Sequence, residues 1–130
     1  MPLFALGKRI LIVEDEPLIG MLLEDMVTQY GASVAGPATR VQEALELAQT
    51  ESLDAAILDM NLHGDMSFPV ADALRERGVP FMFLSGYGET ADAARAYNVL
   101  ILPKPIEEDR LERALSELLG GPSAPAEQAS

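Results

Sequence analysis

Apolar residues along this chain fall into short unbroken runs that alternate with stretches where they recur every three or four positions. The runs are Ile10-Leu11-Ile12-Val13, Ala55-Ala56-Ile57-Leu58 and Phe81-Met82-Phe83-Leu84, with weaker ones at Ser33-Val34-Ala35-Gly36 and Leu100-Ile101-Leu102. Runs of this kind suit strands buried on both faces, as in a parallel sheet. Between them, Leu18, Ile19, Leu22, Leu23, Met26 and Val27 keep a helical period behind Pro17, whose missing N–H is no loss in a first turn, and Gly31 is the expected stop. Val41, Ala44, Leu45 and Ala48 mark a second helix entered near Thr39, residues Phe68 to Arg77 a third closed by Gly78, and Glu89 to Tyr97 a fourth. Ile106, Leu111, Leu115, Leu118 and Leu119 give a fifth its apolar stripe.

Five strands alternating with five helices predict an α/β domain with helices on both faces of a parallel sheet. The length favours the flavodoxin-like (βα)5 version, doubly wound, with strand order 2-1-3-4-5. At 130 residues there is room for one such domain, over about residues 8 to 119, and 120 to 130 read as a disordered Gly, Pro and Ala tail. No apolar run approaches the roughly 20 residues that span a bilayer, and the first seven residues are too short and uncharged for an export signal, so a cytoplasmic location is expected. The absence of cysteine removes disulfides and thiolate chemistry. A net charge of -12 argues against unaided contact with nucleic acid or anionic lipid, and leaves proteins and cations as partners.

The chemistry collects where strands end. In this topology Glu14 and Asp15 follow the first strand, Asp59 closes the third, Ser85 the fourth and Lys104 the fifth, all on one edge. Two carboxylates about 4 Å apart repel by roughly 4 kcal/mol at an effective dielectric of 20, against a domain stability of ~5–15 kcal/mol. Such a cleft should bind a cation or take up a proton. All-oxygen ligands in a shallow site favour Mg²⁺. A cation there would screen an incoming phosphate from Asp59 and permit attack on phosphorus, with Lys104 and the Ser85 hydroxyl stabilising the transferred oxygens.

With these residues in order, the chain resembles a response-regulator receiver domain of two-component signalling. The resemblance is carried by Leu11-Ile12-Val13-Glu14-Asp15-Glu16, Ile57-Leu58-Asp59-Met60-Asn61, Phe83-Leu84-Ser85-Gly86 and Lys104-Pro105. It implies that Asp59 is the phosphoacceptor, that Glu14, Asp15 and Asp59 hold Mg²⁺ with the main-chain carbonyl of Asn61, that Ser85 is the switch hydroxyl and that Lys104 contacts the phosphoryl group. It also implies a cis peptide before Pro105, a histidine kinase or phosphotransfer protein as donor, and a downstream protein target reached through the surface of the fourth helix, fifth strand and fifth helix. Where many receivers place an aromatic switch residue, this chain has Ile101. The segment Ser67-Phe68-Pro69-Val70-Ala71-Asp72-Ala73-Leu74 and the loop Phe83 to Gly88 are similar to an alphaproteobacterial group named after a Phe-Ala-Thr-Gly-aromatic loop, found in stand-alone receivers and general stress signalling. Tyr87 in that loop is expected to cover the phosphoryl group and slow its hydrolysis.

Two rival readings differ in class. An aspartyl-phosphate phosphatase needs an acid two positions after its nucleophile, where this chain has Asn61; a non-phosphorylated binding module of the same fold would never form an acyl phosphate on Asp59. The expectation is therefore no turnover enzyme, present as a monomer or weak homodimer. His63, the only histidine, reads as an exposed loop residue, Tyr30 and Tyr97 as packing residues with solvated hydroxyls, and the six methionines as filler.

Overall fold

The apolar runs become the strands of one sheet in the computed structural model, which describes residues 3–86 and 92–120. In chain order the elements are β1 (Arg9–Val13), α1 (Pro17–Gln29), β2 (Ser33–Ala38), α2 (Val41–Thr50), β3 (Ala55–Asp59), β4 (Asn61–Leu62), β5 (Asp65–Met66), α3 (Phe68–Glu76), β6 (Phe81–Ser85), α4 (Asp92–Arg95), β7 (Ile101–Pro103) and α5 (Glu108–Leu118). Five strands form a parallel sheet in the order β2-β1-β3-β6-β7, which is the expected 2-1-3-4-5 order. The order reverses between β1 and β3, so a crevice opens at their carboxyl ends, the usual ligand position in such sheets. Register sets the site: Val13 lies beside Leu58, and Asp59 beside Leu84.

The alternation of side chains along each strand feeds two cores. Ile10, Ile12, Ile57, Met82 and Leu84 pack with Leu23 and Val27 of α1 and Leu111 and Leu115 of α5. Leu11, Val13, Ala56, Leu58, Phe81 and Phe83 pack on the other face with Ala44 and Ala48 of α2 and Val70 and Leu74 of α3. Burying one such large side chain stabilises by ~1.5–3 kcal/mol, which is why strands with no polar position hold the centre.

The structure departs from the sequence expectations after β3, along β2 and at Tyr30. A short antiparallel hairpin, β4–β5, stands in the loop after β3. β2 runs on to Ala38: Gly36 takes φ +94, where a Cβ would come within 2.6 Å of the Ala38 nitrogen and 2.8 Å of the Ile12 carbonyl, so only glycine lets the strand continue there. The described part of the fourth helix is Asp92–Arg95, with Ala96 and Tyr97 in a turn; its expected start at Glu89, like Tyr87 and the tail from 121 on, lies outside the described residues. Tyr30 is only 1% exposed, and its buried hydroxyl has no hydrogen-bond partner among the described residues, contrary to the solvated hydroxyl expected. The Tyr97 hydroxyl donates to Asp72 Oδ1 at 2.7 Å. The peptide bonds before Pro37 and Pro105 are both cis, the second as the resemblance implies. Among the described residues, no helix is long and apolar enough to cross a membrane.

Candidate functional site

Strand ends deliver the charged groups. β1 stops at Val13, and Glu14 follows with its main-chain N–H on the Ala38 carbonyl at 2.9 Å, which turns the chain over the sheet edge. Its carboxylate is buried and accepts the Glu16 N–H on Oε2 at 3.0 Å. Asp59, 3% exposed, closes β3. Lys104 follows β7, anchored by its N–H on the Ser85 carbonyl at 2.9 Å. Its ammonium lies 3.0 Å from Glu14 Oε1, 3.1 Å from Asp59 Oδ2 and 3.5 Å from Glu16 Oε2. Asp15 turns to the hairpin: its Oδ2 accepts the His63 N–H at 3.0 Å and lies 3.5 Å from His63 Nδ1.

One ammonium therefore serves a cluster in which Glu14, Asp15 and Asp59 each bring a carboxylate oxygen within 4.8 Å of the others. Burial is the main reason the Glu14 carboxyl is raised from 4.5 to about 7, and the Asp59 charge adds to it against the pull of Lys104 and the Glu16 N–H. Asp59 is raised for the same first reason, with Lys104 opposing. Burial also pushes Asp15 upward, but the His63 N–H and its neighbours' hydrogen bonds outweigh it and leave the carboxyl below its ordinary value. Burial disfavours the Lys104 ammonium, yet the two carboxylates prevail and raise its pKa. The Lys104 ammonium lies astride the Glu14 carboxylate, 3.0 Å from Oε1 and 3.1 Å from Oε2. An all-oxygen cluster of three carboxylates with excess negative charge fits a hard divalent cation such as Mg²⁺.

Of the residues singled out from sequence, Glu14, Asp15, Asp59 and Lys104 come together by their side chains. Ser85 joins them through its backbone, while its hydroxyl donates only weakly, at 3.5 Å, to the Gly86 carbonyl. Asn61 gives its N–H to Asp59 Oδ1 at 3.4 Å, and its side-chain oxygen is committed to the Gly64 N–H at 2.8 Å. Two site residues escape sequence reasoning. Ser67 is fully buried, and its hydroxyl donates to the Asp59 carbonyl at 2.7 Å, tying the start of α3 to the end of β3. His63 is more than a solvated loop residue, since its backbone holds Asp15. The pair His63-Gly64 between Leu62 and Met66 is the one local cue to the turn involved.

Comparison with known proteins agrees with this geometry. A response regulator receiver domain model matches residues 10–116. The phyllosphere-induced regulator PhyR of Methylorubrum extorquens is 32% identical over 118 residues, which are 88% of this chain and 44% of PhyR, so the chain spans less than half of that relative. The solution structure of SdrG from Sphingomonas melonis Fr1 shares 42% identity with a TM-score of 0.76, covering 88% of this chain and 98% of SdrG. The receiver domain of sensor histidine kinase PA1611 from Pseudomonas aeruginosa PAO1, solved with a magnesium ion coordinated in its active site cleft, is similar in fold at 24% identity and a TM-score of 0.75, over 88% of this chain and 99% of that one. A receiver match over most of the chain, the parallel sheet and the acidic edge that it carries agree, and the chain belongs to the response regulator receiver domain family of two-component signalling.

Proposed function

We propose that this chain accepts a phosphoryl group on Asp59 from a phosphohistidine protein, a histidine kinase or phosphotransfer protein, and passes the change on by altered protein contacts. The observation that carries the reading is the placement of Asp59: a buried carboxylate at a strand end, 3.1 Å from the Lys104 ammonium and clustered with Glu14 and Asp15. Receiver domains bind Mg²⁺ in an acidic pocket, and here Glu14, Asp15, Asp59 and the main-chain carbonyl of Asn61 would hold it. When bound, the ion supplies positive charge that offsets the carboxylates and the incoming phosphoryl oxygens.

In the transfer, an Asp59 carboxylate oxygen forms a bond to phosphorus as the donor's N–P bond breaks, the electron pair leaving with the imidazole. Lys104 starts within ion-pair reach of the acceptor and follows the phosphoryl oxygens by charge, and the Ser85 hydroxyl moves from its weak bond to Gly86 to donate to them. Ser67 holds the acceptor's own carbonyl, so the nucleophile is presented from a fixed backbone. Asn61 carries an amide where an aspartyl-phosphate phosphatase needs a general acid, which supports an acceptor loaded with one phosphoryl group over a turnover enzyme. The response travels to the surface of α4, β7 and α5. Ile101 on β7 pairs with Phe83 and packs in a cluster of rings in which Tyr97 stacks on Phe68 at 5.6 Å and meets Phe83 edge-on at 5.6 Å.

Intact mass after incubation with phosphoramidate tests the reading. Wild type with Mg²⁺ should gain one phosphoryl group, and EDTA or Asp59→Asn should abolish the gain. If wild type gains none from phosphoramidate and none from a phosphorylated histidine protein, the proposal fails.

A further inference from the structure

We infer that His63 is a positioning residue for Asp15: the backbone of the β4–β5 turn fixes one oxygen of that carboxylate and so presents the other to the cation. The inference rests on the metal-dependent reading above and adds a part to it that the strand ends do not supply.

Lys104 pairs with Glu14 and Asp59, and the contact that orients Asp15 comes from the other side of the cleft. The Asp15 side chain is 14% exposed, at the mouth of the crevice. The His63 N–H donates to Oδ2 at 3.0 Å and Nδ1 lies 3.5 Å from the same oxygen, so both approaches converge on one atom, while the carboxylate still brings an oxygen within 4.8 Å of those of Glu14 and Asp59.

The turn that aims this N–H is built for the purpose. β4 and β5 pair Asn61 with Met66 and Leu62 with Asp65, which leaves His63 and Gly64 as a two-residue connection. Both have positive φ, +53 and +92, the combination that matches the twist of a tight hairpin. Histidine holds a conformation that most side chains avoid, while the Asn61 side chain closes the turn on the Gly64 N–H at 2.8 Å. The hairpin is also rooted at the acceptor: the Asn61 N–H reaches Asp59 Oδ1 at its start, and the Ser67 hydroxyl reaches the Asp59 carbonyl just after its end. It is an arm that begins and ends at Asp59 and touches Asp15, 48 positions earlier in the chain. The imidazole itself is 57% exposed, so the backbone, more than the ring, carries the role.

The test is the Mg²⁺ dissociation constant, by calorimetry, of wild type, His63→Asn, His63→Gly and His63→Val. Asparagine and glycine adopt the left-handed turn and keep the N–H; both should stay within about threefold of wild type. Valine is β-branched and resists that conformation, so its affinity should fall about tenfold or more. Equal affinity in His63→Val and wild type overturns the inference, as does a loss in His63→Asn as large as in His63→Val. Should His63→Val fail to fold, hydrogen exchange of the His63 amide in wild type and Asp15→Ala decides: protection lost in the variant supports the contact, and unchanged protection overturns it. Absence of Mg²⁺ binding by wild type would remove the metal reading itself, and this inference with it.

Discussion

The same strands end in two different arrangements of charge. At the amino edge of the sheet, opposite charges are matched: the Arg9 guanidinium lies 2.8 Å from Glu51, the Arg9 N–H donates to Asp54, and Arg77 donates to the carbonyls of Ala48 and Glu51. Arg9 and Glu51 are 38% and 35% exposed, so water shares the work. At the carboxyl edge, three clustered carboxylates face one ammonium, and Glu14 and Asp59 are buried. Matched, half-exposed pairs of the first kind contribute ~0–1 kcal/mol. Buried groups short of positive charge cost stability in the free protein, and a cation or an added phosphoryl group changes that cost. The satisfied edge is structural, and at the unsatisfied edge a bound cation would couple ligand binding to folding.

The contrast is sharpest for Lys104. Lys104→Met removes the ammonium between Glu14 and Asp59, and at pH 8 without Mg²⁺ it should cost about 3–5 kcal/mol in urea unfolding, part of which Mg²⁺ restores. A cost below ~1 kcal/mol would place the carboxyl edge in the same class as the amino edge. Next in size is the effect of pH on Glu14, which the folded protein keeps protonated up to about 7 and the unfolded chain releases near 4.5. Between those values the folded state binds more protons, so this group's contribution is intact below about 4.5 and is lost as pH rises through about 7. Metal-free wild type should therefore lose on the order of 3 kcal/mol relative to Glu14→Gln between pH 5 and 8. Mg²⁺ should raise the melting temperature more at pH 8 than at pH 6, because Glu14 must be ionised to act as a ligand. A difference between the two proteins that is flat with pH would contradict the burial of that charge. The smallest effect belongs to the other edge. Glu51→Gln should cost less than ~1 kcal/mol, shrink further in salt and leave Mg²⁺ affinity unchanged. A change in Mg²⁺ affinity there would mean that the two edges are not independent.

Much of this arrangement is legible in the sequence, and the reason is topological. Glu14, Asp59 and Lys104 each stand at or just beyond the end of an apolar run, and a parallel sheet gathers such ends on one edge whatever their distance along the chain. His63 and Ser67 are not legible in the same way, because their roles depend on a hairpin whose strands are two residues each and carry no period to read. The extension of β2 through Pro37 hides behind a glycine and a proline that ordinarily end a strand. Tyr30 looks from its place at a helix end like a residue with a solvated hydroxyl, but the α1–α5 side of the core and the ring of Phe4, 4.7 Å away, cover it. Local pattern reports which residues are apolar and where runs stop; contacts made by a turn returning on itself are tertiary.

The most direct test is equilibrium urea unfolding of wild type and Asp59→Asn at pH 8, each in EDTA and in Mg²⁺. If the carboxyl edge is held short of positive charge for the sake of a cation, removing one buried charge should stabilise the protein in EDTA by roughly 1–3 kcal/mol, and Mg²⁺ should then stabilise the variant far less than wild type. An Asp59→Asn protein that is less stable than wild type in EDTA, or that gains as much from Mg²⁺, would contradict the account.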